Sequence, residues 1–360
     1  MTTPPADAVR TLDVGFMPLL DAAPLLAAVR LGLDRRHGLS LRLHRQASWA
    51  VLRDRLLSGE LDAAHAMAAL VLGVQTGIGG PQADLAILMG LNRNGQAITL
   101  SPSLAQALAE GRSLASALRA LPRKPVFAQT FPTGTHALWL YYWLAALGLD
   151  PMRDIEAVTL PPPLMPQALA AGELDGFCAG EPWGEQAEAI GAGRRVIRSG
   201  RIWSGHPEKV LATRRDFAAL QPELATALTA AVLEACRWLD ADPSHREQAA
   251  QWLAEPEAIG LPAERLAACL APREGELAGE ALRFHADGDA NFPWISDGRW
   301  FLGQFRRWGW LPAAAGGDDD AWLADVYRRD SYRQAALQLG VPLPVVPSRA
   351  SVLFDRREWG

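Results

Sequence analysis

"SGELDAAHAM" runs from Ser58 to Met67, and "AGELDGFCAG" runs from Ala171 to Gly180. The tetrapeptide Gly-Glu-Leu-Asp therefore occurs at 59–62 and again at 172–175. Each copy follows a helical pattern and precedes a short run of small apolar residues. Gly suits the left-handed conformation that ends a helix, Leu anchors the turn in a core, and the small residues after it read as a buried strand. The same phrase at the same point of two cycles predicts two βαβ lobes of similar plan in tandem.

Reading outward supports this. Around the first copy, alternation marks strands at Leu12–Met17 and Leu39–His44, and apolar runs mark strands at Leu61–Ala66 and Leu85–Leu91. Between them lie helical segments at Asp21–Leu31, with Asp21 as its N-cap, at Ala50–Leu57 and at Ala68–Val74. Ala97–Leu100 continues in the extended state. Around the second copy, strands are expected at Pro125–Gln129, Ile155–Leu160, Leu174–Cys178 and Arg195–Arg198. The helices of this cycle are Ser113–Leu121, Thr135–Leu147, one ending at Gln167–Ala171, and Glu185–Gly191. Strand–helix alternation of this kind predicts parallel α/β sheets. Beyond Pro207 one more strand, Lys209–Thr213, is followed by helices at Pro222–Asp240, His245–Leu253 and Pro262–Leu270 and by a Trp-rich stretch from Phe292 to Trp310. Residues 313–320, "AAAGGDDD", read as a solvated loop, and the Pro-rich end as a wrap over the surface. Two facing lobes place a ligand at the carboxyl ends of the strands, in the cleft between them.

Composition narrows the function. The 360 residues exceed a single domain of ~100–150 residues. A net charge of -5 argues against a direct nucleic-acid partner. Cys178, Cys236 and Cys269 are odd in number and far apart, so neither a disulfide framework nor a metal site is expected. The longest apolar stretch, Ala137–Leu149, falls short of the ~20 residues of a membrane span. The start of the chain shows no cationic and apolar leader, which gives the expectation of a cytoplasmic protein with no membrane partner. No phosphate loop, HExxH or nucleophile–base spacing is present, so no cofactor is expected and the chain reads as a binding protein rather than an enzyme.

Several residues stand where a cleft ligand would meet them. Trp49 lies between a strand and a helix and offers one indole N–H, although a core Trp capping the helix fits equally. Thr133, Gly134, Thr135 and His136 precede or open a helix, whose free N–H groups and partial positive charge attract anions. His65 ends the first repeated strand. Gly180, Glu181 and Trp183 hold the matching place in the second, where Gly180 permits close backbone approach and Trp183 walls the pocket. Lys209 opens a strand after the expected crossover; by itself it reads as a solvated strand start, and Gln96 as a turn residue.

The segments "GFMPLLDAAPLLAAVRLGL", "ASWAVLRDRLLSGELDAAHAM", "GELDGFCAGEPWG" and "HPEKVLATR", with "NGQ" and "GTH" in order between them, resemble the NrtA/CmpA family of nitrate- and bicarbonate-binding proteins over about Asp13 to Trp310. The resemblance implies a two-lobed type II periplasmic-binding-protein fold, α/β, with residues 1–101 and 205–360 forming lobe I and residues 102–204 forming lobe II. It implies nitrate or nitrite as ligand and Lys209 as its charge partner, and it tips Gln96 and Trp49 toward donor roles. Glu181 is awkward beside an anion: it orients Lys209 or a backbone donor, is protonated against a bicarbonate-like ligand, or is structural. Without an export signal the chain is most similar to the cytoplasmic nitrate/nitrite sensor NasS, which implies a NasT-like RNA-binding antiterminator as partner. A transport-linked binder of nitrate, bicarbonate or another small anion is the alternative. An enzyme using His65, His136 and Glu181 as acid–base groups is the third.

Overall fold

The computed structural model describes residues 9–272, 277, 279–312, 318–346 and 348–359. Ten strands build two sheets: β1 (Arg10–Phe16), β2 (Leu39–Arg45), β3 (Ala63–Met67), β4 (Leu85–Gly90), β5 (Gln96–Leu100), β6 (Val126–Gln129), β7 (Glu156–Thr159), β8 (Gly176–Gly180), β9 (Arg194–Arg198) and β10 (Lys209–Arg214). The first sheet has the order β2-β1-β3-β10-β4 and the second β7-β6-β8-β5-β9. The two orders superimpose position by position, with β10 and β5 equivalent.

Those two strands correct the expectation of parallel sheets. β10 runs antiparallel to both β3 and β4, and β5 antiparallel to both β8 and β9. Each is the strand by which the chain enters a lobe from the other one, so it arrives from the opposite direction. The lobe boundary moves for the same reason. Gln96–Leu100 was expected in lobe I, yet β5 lies inside the second sheet. The chain crosses at about 91–95 on the way out and 204–208 on the way back.

The repeated tetrapeptide has a structural explanation that includes its Asp. Gly59 (φ 83°) and Gly172 (φ 72°) are left-handed, and Leu61 and Leu174 are buried. Asp62 N donates to Asp13 O (2.8 Å), and Asp62 Oδ2 accepts from Asp13 N (2.9 Å). Asp175 N donates to Val126 O (2.8 Å), and Asp175 Oδ2 accepts from Val126 N (2.7 Å). Each Asp thus clips its strand to the neighbouring parallel strand, β1 or β6, through a pair of reciprocal hydrogen bonds.

Strands β3, β5 and β8 are buried along their whole length, as central strands covered on both faces must be. The helix Thr135–Ala146 is buried all round over its first ten residues, which makes it a core element rather than a surface one. Three tryptophans gather where the lobes meet. Trp139 stacks on Trp300 (centroids 4.7 Å) and meets Trp203 edge-on (5.9 Å). The C-terminal strands β11 (Ser351–Val352) and β12 (Glu358–Trp359) form a hairpin. It bridges from Ser296 O, which accepts from Trp359 Nε1 (2.9 Å), to Tyr142, whose hydroxyl donates to Asp355 (3.0 Å). The expected loop at 313–320 is half answered. Residues 313–317 lie outside the described residues, whereas Asp318 caps the helix Asp319–Val326, and Asp319 and Asp320 pair with Arg306 and Arg299. No helix among the described residues is long and apolar enough to cross a membrane.

Candidate anion-binding site

The cleft is closed. Leu20 N donates to Glu181 O (3.0 Å), Trp183 Nε1 donates to Pro18 O (2.9 Å) and Thr130 Oγ1 contacts Met67 Sδ (3.7 Å), each across the lobes. Glycines make this approach possible. A Cβ on Gly73 would meet Thr133 Oγ1 at 2.4 Å, and one on Gly134 would meet Met67 Cε at 2.7 Å.

Lys209 opens β10 and is fully buried. Its Nζ lies 3.0 Å from Asp21 Oδ2, contacts Glu208 Oε1, and sits 5.6 Å from the Trp49 ring centroid. Burial works against its charge, but Asp21 and Glu208 together outweigh burial and raise its pKa. Burial likewise opposes ionisation of Asp21, and Lys209 and His65 outweigh it, holding the carboxyl well below the usual range. Glu208 goes the other way: burial, reinforced by Asp21, raises its pKa against the pull of Lys209.

Burial disfavours the charged form of His65, His136 and His206. His65 Nε2 meets Asp21 Oδ1 (2.8 Å) while Met17 N donates to its Nδ1 (3.4 Å), which puts the ring proton on Nε2. Burial lowers its pKa despite Asp21. His136 Nδ1 meets the Thr130 hydroxyl at 2.6 Å, and burial followed by Lys209 pushes its pKa well down. Burial lowers His206 to about 3.

Around Lys209 the hydrogen-bonding account does not balance. Trp49 Nε1 and His136 Nε2 are buried without a partner, as is Gln96 Oε1. Buried polar atoms are almost always paired, so a cluster of unpaired ones beside a buried lysine marks a place for a ligand. Trp49 lies 5.9 Å from His65 and 6.4 Å from His136, centroid to centroid. A Cβ at Gly180 would fall 3.6 Å from His136 Nε2, so glycine keeps that space open. Thr135 and His136 open their helix behind Gly134, whose position has no side-chain cap. An acceptor-only anion would meet an indole N–H, an imidazole, a lysine and a helix N-terminus.

The structure thus brings Trp49, His65, Gln96, Thr135, His136, Gly180 and Lys209 together. Glu181 does not join them through its side chain. Its Oε1 accepts from Arg195 (2.7 Å) and its Oε2 from Glu185 N (3.1 Å). Of the alternatives open to it, Glu181 meets a backbone donor, Glu185 N, whereas Lys209 is held by Asp21 and Glu208, neither of which the sequence placed at the site. Glu181 is drawn away because Arg195 supplies a partly buried cation on its own lobe. Trp183 serves as an interlobe contact through its indole N–H rather than as an open wall. Asp21 was expected as a helix N-cap, but the preceding 3-10 turn is capped by no side chain, and the carboxylate points to Lys209 and His65. Among the described residues no group of three or more His, Cys, Asp or Glu could hold a metal ion.

Residues 6–254 match the model of the NMT1-like family. The chain belongs to that family. It is 34% identical over 362 residues to the nitrate/nitrite binding protein NrtA of Synechocystis, covering 96% of this chain and 80% of that protein. It is also 34% identical to the bicarbonate transport ATP-binding protein CmpC of Synechococcus elongatus, covering 96% of this chain but only 52% of that longer protein. The crystal structure of the periplasmic nitrate-binding protein NrtA from Synechocystis superimposes with a TM-score of 0.90 at 33% identity, covering 97% of this chain and 95% of that one. The NrtA/CmpA resemblance and the periplasmic-binding-protein fold expected from the sequence hold.

Proposed function

We propose that this protein is a receptor for a small planar monoanion, nitrate or nitrite, and that it serves an ABC-type import system as the solute-binding component. The observation that carries this reading is the set of unpaired buried polar atoms, the Trp49 Nε1 donor and the His136 Nε2 nitrogen, around fully buried Lys209. Similarity to proteins named for nitrate and nitrite binding supports the choice of anion. Equal identity to a bicarbonate transport protein makes bicarbonate the competitor to exclude. Ligand enters with the lobes apart and is enclosed when they meet, excluding water from the donors.

The cytoplasmic sensor expected from the sequence, with its NasT-like antiterminator partner, uses the same anion site and differs in what the closed form presents outside. The relatives named above are binding or transport proteins, which supports the import reading over the sensor. Thermal denaturation against a panel of anions tests the core claim. Nitrate at about 100 times its dissociation constant adds roughly 2.7 kcal/mol of stability. An unshifted melt with both nitrate and nitrite overturns the reading, and a shift with bicarbonate alone reassigns the ligand. Co-purification of an antiterminator that nitrate releases supports the sensor instead.

A further inference from the structure

A buried acceptor in the site opposes an anion. Gln96 Oε1, an acceptor, is buried without a donor, on the residue paired with Gly180 and next to His136. The cause is a short chain of hydrogen bonds. Gln96 Nε2 donates to Thr135 Oγ1 (3.4 Å), and the Thr135 hydroxyl donates to Glu208 Oε1 (2.9 Å). A hydroxyl carries one proton. While Glu208 is a carboxylate it can only accept, so Thr135 must point its proton at Glu208. Gln96 must then give Thr135 an N–H, and its carbonyl is left facing the gap.

A proton on Glu208 reverses every link. The carboxylic acid donates to Thr135 Oγ1, Thr135 donates to Gln96 Oε1, and a half-turn of the amide brings the Gln96 NH2 toward the anion. The same proton removes a negative charge. Lys209 faces two carboxylates, Asp21 and Glu208, and an incoming anion would be a third negative group against one cation. The other carboxylate is not free to take the proton, because Asp21 is held by both Lys209 and His65.

We propose that the anion binds together with one proton, held by Glu208, and that Thr135 relays that proton's presence to Gln96 as a switch from acceptor to donor. This deepens the anion-receptor reading and rests on it. Glu208 is then a positioning residue that decides whether the site is polarised for an acceptor-only ligand. Its neighbours leave it as the titrating group. Burial raises its pKa. His136 from the helix Thr135–Ala146 and His206 from the crossover are lowered by burial, Asp21 is low, Lys209 is raised, and the Cys178 thiol of β8 is pushed well up by burial and by Glu208.

Titration calorimetry with nitrate, whose own charge is constant, tests the proposal from about pH 6 to 9 in paired buffers of different ionisation enthalpy. The wild-type protein is expected to take up protons on binding, and its affinity to fall as pH rises, with a slope approaching tenfold per unit. Glu208→Gln carries permanent amide donors at that position. It is expected to bind nitrate with little pH dependence and, at the high end, more tightly than wild type. Wild-type binding with no proton uptake and a flat profile overturns the proposal while leaving the anion reading intact, and this outcome needs no variant. A folded Glu208→Gln protein that keeps the full pH slope also overturns it. Absence of nitrate binding at every pH overturns the receptor reading, and the proposal with it.

Discussion

Trp49→Phe separates a ligand donor from a core residue, because the two roles predict effects on different quantities. Trp49 is fully buried, so truncating its indole to a phenyl ring removes about two carbons of packing, about 1.6 kcal/mol at ~0.8 kcal/mol per buried CH2. Its Nε1 also has no hydrogen-bond partner among the described residues, and removing an unsatisfied buried donor returns about 1–3 kcal/mol. The two terms largely offset each other, and the stability of the free protein should change by no more than about 1.5 kcal/mol in either direction. Binding has no such compensation. A hydrogen bond to a charged partner contributes about 1.5–3 kcal/mol, so nitrate affinity should fall roughly tenfold to a hundredfold. Chemical denaturation without ligand and calorimetry with nitrate measure the two quantities on the same protein. A variant that loses several kcal/mol of stability while keeping its affinity would refute the reasoning and return Trp49 to the core.

Lys209→Met should abolish nitrate binding and, by stranding Asp21 and Glu208 in the interior, lower stability by about 3–5 kcal/mol in denaturant; retained binding would remove the lysine from the site. Lys209→Arg should also weaken nitrate binding, because a planar fork does not replace a compact ammonium; an unchanged dissociation constant in calorimetry counts against the site geometry. Glu181→Gln should leave nitrate affinity unchanged while weakening the hold on Arg195, and a large loss of affinity would restore Glu181 to the anion site. Acid should unfold the protein early. His206 is lowered to about 3, and His65 and His136 are lowered too, so the unfolded chain binds more protons and stability is lost as pH falls below about 6.5. The slope is up to about 1.4 kcal/mol per pH unit for each histidine, and a melting temperature constant from about pH 6.5 to 4 argues against their burial as neutral rings.

Much of this architecture is legible in the chain. Gly59 and Gly172 announce helix ends, and the apolar runs behind them announce strands, because both signals are local. The antiparallel course of β5 and β10 is not legible, since the direction of a strand depends on the lobe the chain comes from. A boundary error of about six residues followed directly, as Gln96–Leu100 carries no mark of which sheet it joins. In the site, helix N-termini and strand ends drew attention to Thr135, His136, His65 and Gly180. Lys209 and Gln96 needed the family pattern, because a lone lysine or glutamine is ordinarily solvated. Asp21 was read as a cap because an Asp before a helix usually is one, and only a buried lysine some 190 positions away, at Lys209, changes its role. Glu208 stands next to Lys209 in "HPEKV", but neighbours on a strand ordinarily face opposite ways, which hid their contact.

The C-terminal hairpin gives the molecule a third tether. Two covalent crossings already join the lobes, and the tail adds a removable one: Trp203 bridges to Leu353, Phe354 N donates to Ile202 O (2.8 Å), and Arg349 reaches Gly205 O (2.6 Å). A clasp of this kind acts on the resting balance between apart and together, before any anion arrives. The apparent affinity of such a receptor is its intrinsic affinity scaled by the fraction already able to bind. Tuning the tail would therefore reset sensitivity to the anion without touching a single residue that meets it, and a tag fused at that end would carry the same leverage.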